Sequence, residues 1–162
     1  LPYLGGVARL EWTMRVSRRS PVGRPLDPAA ILAVAAADQP RLALRLDPSL
    51  RYVVSRWPIL AIWQANQSAG EVPAVRLDQP GGTIELRREG DGVAMARIRR
   101  VDAAFRRALR RGLPLLEATE VALDVDPHFD LAAAIRGLFA GGYVVRLAIV
   151  RDPTRKEPDQ WT

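Results

Sequence analysis

The sequence predicts an α+β fold in two parts. Three observations predict it. Several stretches carry apolar residues at helical spacing, and several others alternate apolar and polar residues with a period of two. Short period-two stretches in the second half are separated by Gly81-Gly82 and by Gly90-Asp91-Gly92, which are hairpin turns and therefore imply antiparallel pairing.

In the first half, residues 7–16 read as a helix with Val7, Leu10, Trp12 and Met14 on one broad apolar side, preceded by Gly5 and Gly6 as a turn. Ser20, Pro21 and Gly23 mark a loop. Asp27-Pro28 is a helix start, with Asp as N-cap and Pro at the first helical position, and this second helix runs through Ile31, Leu32 and Val34 to about residue 37. Leu42, Leu44 and Leu46 alternate with Ala43 and Arg45, which predicts a strand. Asp47-Pro48-Ser49 forms a turn into a second strand at 50–56, making a small β-hairpin region. A short helix follows at 59–66. Residues 67–72 read as a linker, so the domain boundary falls there: residues 1–68 on one side, 72–151 on the other.

The second half predicts short strands at 75–77, 83–88 and 93–99, then three helices. Asp102 starts the first helix, which Gly112 ends and which places Phe105 and Leu109 four apart. The second spans 115–123. Asp130 caps the third, at 131–140, with Leu131, Ile135, Leu138 and Phe139 on one side. A closing strand lies at 144–150, and the charged tail at 152–162 is expected to be disordered. Strands, three helices and a closing strand describe a winged-helix-like module, an architecture that serves DNA and peptides alike.

The 162 residues include no Cys and one His, which excludes thiol nucleophiles, cysteine zinc sites and iron–sulfur ligation. No apolar run is long enough for a membrane span, and a cysteine-free chain fits a reducing cytoplasm. The net charge of +6 is carried almost wholly by arginine, with Lys156 the only lysine. His128 sits in a turn between Pro127 and Phe129. Glu117 and Glu120 form a solvated pair, and Asp124, Asp126 and Asp130 lack the glycine and closing glutamate of a calcium loop. No phosphate-binding glycine motif is present. Nothing assembles an active site, so the chain is expected not to be an enzyme and to hold no cofactor or metal of its own.

Arg99, Arg100, Arg106, Arg107, Arg110 and Arg111 crowd the first helix of the second half and suit phosphate contacts. A winged-helix DNA-binding regulator is therefore the rival reading. The third helix, Leu131-Ala132-Ala133-Ala134-Ile135-Arg136-Gly137-Leu138-Phe139-Ala140, offers a single arginine to base edges, which disfavours sequence-specific readout. The alternative is a groove between the 83–99 hairpin and that helix, in which an extended peptide adds to the strand edge. Ile84, Leu86, Met95, Arg97, Ile135 and Phe139 are the candidate groove residues, with arginines on its flanks favouring an acidic peptide.

Several stretches resemble one family. Leu1-Pro2-Tyr3-Leu4 with Val7-Ala8-Arg9-Leu10-Glu11-Trp12, then Leu46-Asp47-Pro48-Ser49-Leu50-Arg51, Ser55-Arg56-Trp57-Pro58, Ile62-Trp63-Gln64-Ala65-Asn66 and Phe129-Asp130-Leu131-Ala132-Ala133-Ala134 are similar, in order and approximate spacing, to motifs of the HvfC/BufC-type family, long labelled as DNA-binding. Gly6 stands where an acidic residue is usual, Asp47 where histidine is usual, and residues 13–20 lack the usual His and aromatics. The resemblance implies a partner subunit of multinuclear non-heme iron-dependent oxidases, which modify cysteines in ribosomally made precursor peptides. It implies that this chain binds the precursor's leader through a PqqD-like peptide-recognition element, that the iron belongs to the partner enzyme, and that a helical domain precedes Leu1. The expected enzyme-docking surface is Arg9, Trp12, Pro48, Trp57 and Trp63, with Trp57 and Trp63 also candidates for the core.

Overall fold

The computed structural model describes residues 1–67 and 75–150. Its first helix, α1, spans Leu4–Arg19, three residues longer at each end than the apolar spacing predicts. Gly5 and Gly6 lie inside it rather than in a preceding turn. A Cβ on Gly6 would come within 2.9 Å of the Ile59 side chain, so glycine there lets α1 approach the helix that carries Ile59. Leu10 is fully buried, with Val7 and Met14 packed beside it. Trp12, expected on the same side, is 67% exposed: two residues turn a helix by about 200°, which carries it to the opposite face.

The expected helix at 27–37 breaks in two. The Asp27 carboxylate accepts from the Ala29 N–H at 2.8 Å, but α2 covers only Ala29–Leu32 and a 3-10 helix follows at Ala36–Arg41. Neither buries a residue, and short helices depend on packing an apolar face rather than on alanine propensity alone.

Strands β1 (Leu42–Leu46) and β2 (Arg51–Ser55) lie where the alternation places them, but they do not form a hairpin. β1 pairs antiparallel with the closing strand β5 (Val144–Ile149), and β2 pairs antiparallel with β3 (Gly82–Glu89). The turn between β1 and β2 therefore hands the chain from one sheet to the other. Its buried Ser49 fixes that path: its N–H donates to Asp47 Oδ1, its carbonyl accepts from Ser17 Oγ of α1, and its hydroxyl accepts from the Arg88 N–H of β3.

β3 is the centre of a three-stranded antiparallel sheet, β2-β3-β4, with β4 at Gly92–Ile98. The β3–β4 hairpin turns at Gly90, whose φ of +55° needs glycine. Residues 75–77, expected as a strand, are not one; Arg76 among them forms an exposed ion pair with Asp78. α3 spans Ile59–Ala65, α4 Arg100–Arg111, α5 Leu115–Leu123 and α6 Leu131–Ala140. As expected, Gly112 closes α4 with a φ of +89°, and the Asp130 carboxylate caps α6 by accepting from the Ala133 N–H at 2.9 Å.

The architecture is α+β, with two small antiparallel sheets. One core gathers Leu42, Leu44 and Leu46 of β1, Phe105 and Leu109 of α4, and Leu138 of α6. A second lies under α1 and α3 and contains Leu10, Val53, Ile59, Ile84 and Leu86. A division into 1–68 and 72–151 does not match the strand pairing, because each sheet takes strands from both sides of that boundary. Most of the expected linker (68–72) and the tail at 152–162 lie outside the described residues. Among the described residues no helix is long and apolar enough to cross a membrane.

Candidate functional site

The six expected groove residues do not share one surface. Period-two alternation turns Ile84 and Leu86 toward α1 and α3, where they are 4% and 0% exposed and belong to the second core. Met95 packs half-buried against the same core, and Arg97 is exposed. Phe139 packs against the first core instead, and Ile135 is half-buried on α6. The third helix closes a core rather than walling the hairpin, so Leu86 is a core residue, while Ile84, although almost fully buried, forms the floor of a hollow that Arg97 also lines.

The expected docking residues also separate. Arg9 and Trp12 lie on the exposed side of α1, and Pro48 is exposed in the β1–β2 turn. Trp57 and Trp63 pack half-buried against the second core, so they serve the fold while keeping an accessible edge.

The open surface belongs to β4. It is an edge strand: β3 pairs with one side, and no strand among the described residues pairs with the other. Two concavities border it on the face shared with α1 and α3. At its start, Val93 and Gly92 meet Met14, Arg15, Arg18 and Trp63 around a hollow of about 390 Å³. At its end, Arg97 meets Trp57, Pro58, Gln64 and Gly81 around one of about 150 Å³. Gly81 is required there, because a Cβ would fall 2.1 Å from the Ser55 carbonyl oxygen. Val93 and Arg97 are four residues apart, about 13 Å along an extended strand. Gln64, Arg15, Arg18 and Val93 were not candidates from sequence. They became visible only when the pairing made β4 an edge.

The opposite face of the sheet carries a polar cluster. Arg106 of α4 donates from Nη1 to both carboxylate oxygens of the buried Glu85, at 2.6 and 2.7 Å. The Arg87 and Arg106 guanidiniums stand 4.4 and 4.7 Å from the centre of the Tyr143 ring. Arg107 and Arg110 stand 5.3 and 5.9 Å from that of Tyr52. The basic cluster read from sequence is therefore divided. Arg106 is internal, Arg99 is paired to Asp102, and Arg100 and Arg111 are exposed.

The Tyr52 hydroxyl is buried and makes no well-formed hydrogen bond, although the Glu85 carboxylate opposite it in the ladder acts on it as an acceptor. Burial, and next that carboxylate, hold it protonated far into the alkaline range. Tyr143 is raised for the same two reasons in the same order. A phenol raised in the folded state adds stability below its unfolded value near 10 and loses it as pH climbs above that value. Urea denaturation is therefore expected to show stability falling above about pH 10. Tyr52→Phe removes a hydroxyl without a well-formed hydrogen bond, so it is expected to raise neutral-pH stability by about 1 kcal/mol and to soften the alkaline fall. A loss of stability at neutral pH would show that the hydroxyl is bonded.

His128 is a turn residue whose N–H donates to Asp126 Oδ1 at 3.0 Å. Among the described residues no group of three or more His, Cys, Asp or Glu side chains gathers that could hold a metal ion. Comparison of the chain with profiles of protein families, with curated proteins and with solved structures finds no match in any of the three.

Proposed function

We propose that this chain is a non-catalytic adaptor. It takes up the leader of a ribosomally made precursor peptide as an added strand on β4 and presents it to a multinuclear non-heme iron-dependent oxidase, the reading that the family resemblance implies. The peptide-recognition element corresponds to the winged-helix-like, PqqD-like part of that resemblance. The observation that carries the reading is the open edge of β4, bordered on one face by two tryptophan-walled hollows four residues apart. Strand addition supplies main-chain hydrogen bonds, while hollows at that interval select side chains at peptide positions i and i+4. The oxidase would dock on the outer face of α1. There Leu4 and Trp12 are 54% and 67% exposed and Ala8 lies between them at helical spacing, with Arg9 alongside.

Co-purification with an oxidase of that class and its precursor, followed by hydrogen exchange, tests this. Leader binding is expected to protect the amides of Gly92–Ile98. Gln64→Trp and Val93→Glu, which obstruct the two hollows, are expected to weaken leader binding at least about tenfold, a loss of roughly 1.4 kcal/mol, while the oxidase stays bound. Trp12→Glu is expected to do the reverse. Protection confined to other elements would sink the edge-strand reading. Duplex DNA binding with steep salt dependence and no peptide binding would establish the DNA-binding alternative.

A further inference from the structure

The end of the sheet away from the Gly90 turn carries a third concavity of different character. Val54, Thr83 and Ile98 are register partners in one row across β2, β3 and β4. They line an open groove of about 820 Å³ together with Gly82, Arg97, Arg99, Arg100 and Arg107. Arg99 is neutralised by Asp102, whose carboxylate accepts from Nε and Nη2 at 2.8 and 3.0 Å. Arg97, Arg100 and Arg107 have no carboxylate partner among the described residues. Three uncompensated guanidiniums around one concavity repel each other when it is empty and attract an anion into it.

The lining decides between anions. Val54 is 51% exposed and Ile98 is aliphatic. No aromatic ring lines the groove, so there is no platform on which nucleic-acid bases would stack. Carboxylates on a peptide satisfy the arginines in a planar, bidentate manner, and the methylenes of Asp or Glu suit an aliphatic floor. The groove also begins where β4 ends, since Arg97 and Ile98 belong to both, so a strand added along β4 runs into it.

We infer that this groove is a receptor for acidic side chains flanking the β4-paired segment, so that the preferred ligand joins apolar residues at i and i+4 to a short Asp- or Glu-rich run past the Ile98 end. The inference rests on the strand-addition reading for its register but turns on Arg100 and Arg107, which line neither of the two hollows beside β4.

Fluorescence anisotropy with three labelled synthetic peptides tests it. All three carry leucine at i and i+4. One is otherwise neutral, one has three aspartates added at its N-terminus, and one has them at its C-terminus. One of the two extensions is expected to tighten binding about tenfold at low salt and much less at high salt. Which extension does so reports the strand direction. Arg100→Gln combined with Arg107→Gln is expected to remove that gain while the neutral peptide binds as before, and Arg100→Glu is expected to do the same alone. No gain from either extension, or a gain that survives these variants, overturns the receptor. So does an oligothymidylate that displaces the acidic peptide better than oligo-aspartate does. If only the acidic peptides bind, and through Arg100, the groove stands and the strand-addition reading fails. If the neutral peptide binds at β4 without any gain from aspartate, the reverse holds.

Discussion

Arg106→Met is expected to cost about 3–5 kcal/mol of folding stability, read as a fall in the urea midpoint. It strands the Glu85 carboxylate, 3% exposed, without the guanidinium that holds both of its oxygens. An unpaired buried charge keeps its desolvation penalty and loses its compensation. Glu85→Leu combined with Arg106→Met is expected to recover most of the loss, because a volume-matched apolar pair has no charge to desolvate. A single variant with wild-type stability at neutral pH would mean that water reaches Glu85.

Leu86→Ala is expected to cost about 2–5 kcal/mol, the range for emptying a fully buried leucine site, whereas Ile135→Ala should cost about 1 kcal/mol because Ile135 is only half-buried. Both were groove candidates from sequence, and thermal melts of the two variants separate core from surface. If Leu86→Ala melted like the wild type but lost peptide binding, β3 would present that face to a ligand and not to α1. The same partition warns against Ile84→Asp as a test of recognition, since a charge placed in the second core unfolds the protein before it can report on any ligand.

Most elements were legible because their signals are local. The Leu42, Leu44, Leu46 alternation, the glycine-flanked hairpin, Gly112 after Arg111 and Asp130 ahead of an apolar helix each act within a few residues. What failed was non-local. Leu42–Leu46 and Arg51–Ser55 read as a hairpin from their spacing, but which strand each one meets is set by partners far along the chain. Trp12 was misplaced because α1 is apolar on two sides, so the pattern alone does not say which side the core takes. The groove candidates were misassigned for a related reason. Alternation groups Ile84 with Leu86 and Met95 with Arg97 correctly, yet only the packing of α1 and α3 reveals that this face is buried at β3, half-buried at Val93 and Met95 of β4, and open at Arg97. Arg106 is indistinguishable by sequence from Arg107 and Arg110, since its role depends on a carboxylate in another element.

The β1–β5 ladder has a consequence for how this chain reaches its native state. Leu44 meets Leu147 across about a hundred intervening residues, and closing so long a loop costs roughly 4 kcal/mol of chain entropy before any contact repays it. The β3–β4 hairpin and the α4–α5 pair are short-range and free to form early. Contacts of such long sequence separation are the ones that slow folding, so β1–β5 pairing is expected to form after those two. During synthesis β1 leaves the ribosome with its apolar residues uncovered and waits for β5, which follows about a hundred residues later. Until then its row of leucines is an unpaired apolar strand open to mispairing.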